Sequence, residues 1–237
     1  MSLPAPKALL FDVFGTVVDW RTSIIRELTE FGKGHGISLD WEGFADQWRG
    51  LYQPSMEAVR TGAREWTTLD ELHRESLDTL LSDHGVLGLS EEDLVRLNRA
   101  WHRLDPWPDT VPGLSRLRRN FILSTLSNGN TALLLNMAKR SALPFDVILG
   151  AETARAYKPV PSAYLETARM VGLAPSECMM VAAHNDDLVA ATELGLQTAF
   201  VCRPTERGPN QTIDLEPNGD WTYSVSSFEE LADALQN

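Results

Sequence analysis

Ala8-Leu9-Leu10-Phe11-Asp12-Val13-Phe14-Gly15-Thr16 is the stretch from which the rest of this chain is read. Four apolar residues run into a carboxylate, and a glycine then breaks the pattern. A short, continuous apolar run bounded by turn chemistry predicts a parallel strand covered on both faces. Similar runs follow at Phe121 to Leu126, Phe145 to Leu149, Met179 to Ala183 and Thr198 to Val201. Helical periods lie among the later runs, for example Thr131 to Ala142 and Ser162 to Val171. This alternation predicts an α/β fold, a Rossmann-like parallel sheet core with helices on both faces.

From about Trp20 to Trp101 the period is helical and no strand pattern is evident. Ser90-Glu91-Glu92-Asp93 has the spacing of a capping box, as does Ser227-Phe228-Glu229-Glu230 at the last helix. Asp105-Pro106-Trp107-Pro108-Asp109 marks the return to the core, because two prolines cannot continue a helix. The expected organisation is a core of residues 1–18 and 105–237 interrupted after its first strand by a helical cap of residues 19–104.

Composition narrows the function classes. With 237 residues, 43% hydrophobic, the chain can bury a substantial core. A formal net charge of -12 argues against nucleic acid or an anionic membrane as partner, though a small anion could still enter a local cationic pocket. The two cysteines, Cys178 and Cys202, lie in apolar stretches without metal-type spacing, and read as buried thiols of a reducing cytoplasm. Met1 to Lys7 lacks the pattern of a secretory leader, and no apolar run approaches the ~20 residues of a membrane span. A cytoplasmic protein is expected.

Ligands of an open parallel sheet sit beyond the carboxyl ends of its strands. The residues that follow the successive runs are Asp12 to Thr16, Ser127-Asn128-Gly129, Tyr157-Lys158-Pro159, and His184-Asn185-Asp186-Asp187. Taken singly, each has a bland reading: Asp12 as a turn cap, Ser127-Asn128-Gly129 as a turn, Lys158 as a solvated side chain, Asp187 as an acid at a helix start. Together they put a nucleophilic carboxylate, a hydroxyl-amide pair, an ammonium and a second carboxylate at one sheet edge. That set can support substitution through an aspartyl ester.

In this order the motifs resemble those of the haloacid dehalogenase superfamily, from Leu9 to the final strand. The helical insert is similar to that superfamily's small four-helix cap. Within it, Gln47-Trp48-Arg49 resembles the segment that offers an arginine to the substrate in type II 2-haloacid dehalogenases. Most members are magnesium-dependent phosphatases, which carry an acid two residues after the nucleophile to protonate a poor leaving group. That position is Phe14 here, and Ala183 stands where a magnesium-binding aspartate would be. Halide leaves unprotonated, so the resemblance implies metal-independent hydrolytic dehalogenation of small 2-haloacids, with no cofactor and a preference for the L enantiomer.

The resemblance implies these roles. Asp12 attacks C2, Lys158 keeps it ionised, and Asp187 orients Lys158 or helps activate water. Thr16, Ser127 and the backbone amides of Val13 and Phe14 hold the substrate carboxylate or the Asp12 oxygens, helped by Asn128. Arg49 reaches the halide side, and Tyr164 matches a family position near the site. Type II enzymes usually read Ser-Ser-Asn in the fourth motif, where this chain has Ala182-Ala183-His184, and Gln53 replaces an apolar wall residue. His184 could cap the strand end, polarise water or donate to a small halide such as fluoride. Trp48, Trp66, Trp101 and Trp107 read as packing residues. A magnesium-dependent phosphatase and a non-catalytic binding protein of the same fold are the competing readings. Homodimers are common in such families, and no sequence feature specifies one here.

Overall fold

β1 (Ala8–Phe11) holds the middle of the molecule, fully buried along its whole length. The computed structural model describes residues 5–236; residues 1–4, part of the stretch read for a leader, and residue 237 lie outside it. A two-residue strand β2 (Val18–Asp19) leads into five helices: α1 (Trp20–His35), α2 (Trp41–Gly50), α3 (Tyr52–Arg60), α4 (Leu69–Asp83) and α5 (Glu91–Asn98). The chain returns through β3 (Asp105–Pro106), which pairs antiparallel with β2. It then builds α6 (Thr110–Leu117), β4 (Ile122–Thr125), α7 (Thr131–Arg140), α8 (Pro161–Met170), β5 (Cys178–Ala182), α9 (Asn185–Glu193), β6 (Gln197–Val201), β7 (Tyr223–Val225) and α10 (Phe228–Ala234).

The main sheet has the order β4-β1-β5-β6-β7, with every pair parallel. Alternate residues of β1 face opposite ways, as the two-residue period of a strand requires. Leu9 and Phe11 join a core with Leu114 of α6 and Phe228 of α10, whereas Ala8 and Leu10 join one with Tyr164 of α8 and Leu188 of α9. Helices therefore cover both faces, as the apolar run at residues 8–11 predicts. β4 and β5 flank β1, so chain order reverses across it, and a crevice opens at its carboxyl end.

Three local expectations need correction. Phe145–Leu149 is not a strand; single bridges, Ser124 to Val147 and Ser127 to Gly150, replace a ladder. The Thr125 hydroxyl explains this, because it donates to the Leu149 carbonyl at 2.7 Å and accepts from the Leu149 amide at 2.8 Å. Ser227 does cap α10, accepting from the Glu230 amide at 3.1 Å, but the Glu230 carboxylate bonds the amide and hydroxyl of Ser226 instead of closing a box. Cys178 is buried, whereas Cys202 is half-buried. The Ser90 box forms as expected, and Thr68 with Glu71 makes another at α4.

Aromatic side chains tie the helical insert to the β1 edge. Trp101 is fully buried, stacked on His73 at 4.4 Å, with Trp48 edge-on at 5.4 Å and Phe14 at 6.0 Å. Trp66 packs on Tyr157 at 5.0 Å, whose hydroxyl donates to the Thr67 carbonyl at 2.7 Å. Trp107 donates from Nε1 to the Gly15 carbonyl at 2.8 Å. Large aromatics dominate such cores. Trp101→Ala is expected to lose about 3–5 kcal/mol in urea unfolding; a loss under about 1 kcal/mol would show that the insert closes without it.

Candidate active site

The chain leaves β1 with the Asp12 amide donating to the Val181 carbonyl of β5 at 3.0 Å, which sets the carboxylate at the crevice. Thr16 donates its hydroxyl to Asp12 Oδ2 at 2.7 Å and accepts from the Ala183 amide at 2.9 Å, so first and fourth motifs are stitched through one oxygen. Lys158 arrives from the segment before α8. Its amide donates to Asn128 Oδ1 at 2.8 Å, and its carbonyl accepts from Arg60 of α3 at 3.0 Å. The Lys158 Nζ donates to Asp12 Oδ1 at 2.9 Å and also to Asp187 Oδ2. Tyr164 of α8 donates to the other Asp187 oxygen at 2.5 Å.

Asp12, Lys158 and Asp187 are all buried. Burial alone would push the Asp12 carboxyl up, but the Lys158 ammonium and the His184 imidazole outweigh it and hold the group well below the usual carboxylate range. Burial likewise opposes the Lys158 charge, while the two flanking carboxylates drive its pKa above the ordinary lysine value. Asp187 goes the other way: burial, only partly offset by Lys158, raises it. Asp12 is therefore the carboxylate that stays ionised, and Asp187 is the carboxyl of the pair that more readily carries a proton.

A cavity of about 410 Å³ opens over these groups, lined among others by Asp12, Phe14, Arg49, Asn128, Lys158, Tyr164 and His184. Arg49 of α2 forms its far wall. Its guanidinium lies 4.0 Å from the centre of the Tyr52 ring, 5.3 Å from Trp20 and 6.0 Å from Phe14. The rings favour the cation, yet Arg49 Nη1 is buried without a hydrogen-bond partner. A buried unsatisfied donor is costly, and an anion entering the cavity would satisfy it.

Val13, Thr16 and Ser127 are buried but do not line the cavity. The Ser127 hydroxyl accepts from the Gly129 amide at 3.1 Å and so holds the turn that presents Asn128. Sequence reasoning missed Tyr52, Trp20 and Glu206. Tyr52 opens α3, three residues after Arg49 in the last turn of α2, so no single helical period links the two. Glu206 had no signal: it is a single acid in the loop after β6, brought in by the fold, with Oε2 2.9 Å from His184 Nε2 and Oε1 accepting from Trp20 at 3.0 Å. The other imidazole nitrogen, Nδ1, lies 3.3 Å from Asp12 Oδ2.

A divalent cation does not fit this donor set. One Asp12 oxygen is taken by an ammonium, the other faces a hydroxyl and an imidazole, and residue 183 offers only a methyl group. Magnesium requires hard oxygen ligands in octahedral geometry. Among the described residues, no three His, Cys, Asp or Glu side chains are placed to hold a metal ion.

A Rossmann-like core with a buried aspartate–lysine pair at the β1 edge and a helical insert above it defines an aspartate-dependent hydrolase class. The model of the haloacid dehalogenase-like hydrolases matches residues 6–195, and the chain belongs to that family. It is 28% identical over 233 residues to (S)-2-haloacid dehalogenase 1 of Pseudomonas sp. (strain CBS-3), covering 97% of this chain and 96% of that one. It is 51% identical to a crystallised defluorinating L-2-haloacid dehalogenase, with a TM-score of 0.96 over 98% of this chain and 96% of that one. A second crystallised L-2-haloacid dehalogenase is 45% identical, with a TM-score of 0.95 over 98% and 99% of the two chains.

The electrostatics predict a sign. Removing the ammonium in Lys158→Met leaves burial of Asp12 opposed mainly by His184, so the Asp12 pKa rises. Carbon NMR of a labelled Asp12 carboxyl should show no midpoint near the ordinary value of about 4 in the wild type and a clear upward-shifted midpoint in the variant. An unmoved carboxyl signal would show that Lys158 does not set its charge.

Proposed function

We propose that this protein hydrolyses the carbon–halogen bond of small L-2-haloacids, using Asp12 as a covalent nucleophile and no metal. The observation that carries the reading is the ionised Asp12 gripped by Lys158, facing Phe14 where a phosphatase keeps its acid. Phe14 cannot protonate an alkoxide, but a halide needs no proton to leave. The unpartnered Arg49 N–H, ringed by Phe14, Trp20 and Tyr52, supplies a cationic donor in an apolar wall. The helical insert, residues 19–104, is the cap of this enzyme, and residues 1–18 and 105–237 are its core.

In the first half-reaction an Asp12 oxygen attacks C2 opposite the halogen. The C–O bond forms as the carbon–halogen bond breaks, the halide leaves with the electron pair beside Arg49, and C2 inverts. Asn128, with the Val13 and Phe14 amides, positions the substrate carboxylate, while Ser127 acts through the turn. In the second half-reaction water attacks the Asp12 carboxyl carbon, the ester C–O bond breaks, and a 2-hydroxy acid departs. Lys158 and Thr16 hold the Asp12 oxygens throughout, and Asp187 with Tyr164 fixes Lys158. The similarity to a defluorinating enzyme extends the proposed substrates to fluoroacetate. No helix among the described residues is long and apolar enough to cross a membrane. The two free cysteines agree with the proposed cytoplasmic setting. The homodimer common in such families belongs to the same proposal.

Halide release from chloroacetate, fluoroacetate and L- and D-2-chloropropionate, measured with and without chelator, tests the reading. L substrates should turn over unaffected by chelator, and D substrates should not. Asp12→Asn should fall to background, and Arg49→Ala should lose on the order of 10²-fold, the scale of losing one preorganised donor. Chelator-sensitive release of phosphate from an aryl phosphate, with no halide release, would overturn it.

A further inference from the structure

The proposed reaction needs a base for the water that opens the Asp12 ester, and the groups nearest to hand are committed elsewhere. Both Asp187 oxygens are engaged, one by the Lys158 ammonium and one by the Tyr164 hydroxyl. Lys158 is held charged between two carboxylates. Residues 182 and 183 are alanines and offer no hydroxyl to orient water.

His184 is differently placed. It precedes α9 without its side chain capping that helix, and it lines the cavity with Nδ1 3.3 Å from Asp12 Oδ2. Behind it, Nε2 pairs at 2.9 Å with Glu206, a carboxylate only 1% exposed. A buried carboxylate is expensive to desolvate unless paired, and the fold supplies both pairing and a fixed approach. Trp20 donates to its Oε1 at 3.0 Å. Arg203, three residues before it, donates to the Thr16 carbonyl at 3.0 Å and grips Asp109 with two bonds of 2.7 and 3.0 Å, which clamps the loop onto the first motif. Gly15 has a φ of +90°, and a Cβ there would stand 2.2 Å from Glu206 Oε1; that close approach requires glycine.

We propose that His184, held by the positioning residue Glu206, is the general base of ester hydrolysis; this rests on the dehalogenase reading above. Glu206 fixes the proton on Nε2, which leaves Nδ1 facing the reacting carboxyl. Water oxygen bonds to the Asp12 carboxyl carbon while Nδ1 takes one water proton. Collapse breaks the bond between that carbon and the alkyl oxygen, and Nδ1 returns the proton to the departing alkoxide. The proton left on the Asp12 carboxyl then passes to Nδ1, restoring the resting ion pair.

The charges make this base conditional. Burial disfavours the imidazolium, but Glu206 and ionised Asp12 push the His184 pKa up to about 10 in the resting enzyme. Esterification removes the Asp12 charge, while Lys158 nearby and Arg49 and Arg207 on the Glu206 side stay positive. The imidazolium then loses a main partner and releases its proton to solvent as halide leaves. Consuming the nucleophile thus creates the base, and one proton appears per turnover, as the overall reaction requires.

Rapid-quench single turnover with L-2-chloropropionate separates the two halves, with mass spectrometry reading the ester on Asp12. Glu206→Gln and His184→Asn should each still release about one equivalent of halide, because Lys158 keeps Asp12 ionised, with any slowing of that step small beside the slowing of the second. Hydrolysis of the ester should then slow on the order of 10²-fold or more, the scale of lost acid–base catalysis, with ester accumulating. Glu206→Asp should recover part of that loss, and the pH profile of ester hydrolysis should change shape in Glu206→Gln. Thermal melting checks that the variants fold; the partly exposed His184→Asn still decides the matter if Glu206→Gln does not. Unchanged ester hydrolysis, or equal slowing of both halves, overturns the role of the dyad. Absence of halide and ester in the wild type would instead overturn the dehalogenase reading.

Discussion

The ammonium of Lys158, buried between Asp12 and Asp187, is the interaction on which the rest of the site depends. Without it, two carboxylates would face each other in a space largely closed to water, and at least one would take up a proton. With it, one carboxylate stays ionised and the other is left to hold the lysine. The asymmetry comes from surroundings: Asp12 also has the Thr16 hydroxyl and the His184 imidazole, whereas Asp187 has only the neutral Tyr164 hydroxyl besides the shared ammonium. The same side-chain chemistry thus serves two ends because the neighbours differ.

No single segment could build this arrangement. Asp12 follows β1, Asn128 follows β4, Lys158 precedes α8, and His184 and Asp187 follow β5. They converge because β1 lies between β4 and β5, where chain order reverses and the strand ends splay apart. Buried charges are costly wherever they sit, so the scaffold that assembles them must be stiff. Strand β1, without exposed surface, and the two apolar layers on either side of it supply that stiffness. The helical insert adds what the sheet cannot, an arginine delivered from above with aromatic rings around it.

How much of this was legible depended on whether the determinant was local. β1 was readable because four apolar residues ending in Asp12 state their environment outright. Phe145–Leu149 misled because an apolar run reports burial, whereas a strand also needs a free ladder edge; the Thr125 hydroxyl occupies that edge, and no periodicity shows it. Asp12, Lys158 and Asp187 were legible as a set, since each stands at the end of a recognisable run. Ser127 also stands at the end of such a run, but the bond by which its hydroxyl holds its own turn, accepting from the Gly129 amide, left no mark in the sequence. Glu206 was invisible, as its partners Trp20 and His184 come from distant parts of the chain and the glycine that admits it, Gly15, already had a sufficient local explanation as a turn residue.

Phe14 shows why small changes redirect this fold. A phosphate ester leaves as a poor alkoxide, so cleaving it calls for an acid beside the nucleophile and a cation to gather the phosphate charge. A halide needs neither, and a carboxylic acid left at that position would only bring water and a competing charge to the apolar side of the cavity. A ring removes both and seats the Arg49 guanidinium where its charge is weakly screened. The fourth motif then loses its reason to keep a metal-binding carboxylate, and Ala183 stands there with His184 beside it. The imidazole lies against the Asp12 oxygen that takes the Thr16 hydroxyl bond, anchored by a carboxylate from another loop. A titratable cation thus occupies the side of Asp12 opposite the lysine, and in the proposed reaction, unlike a metal ion, it gives up its charge as the carboxylate is esterified.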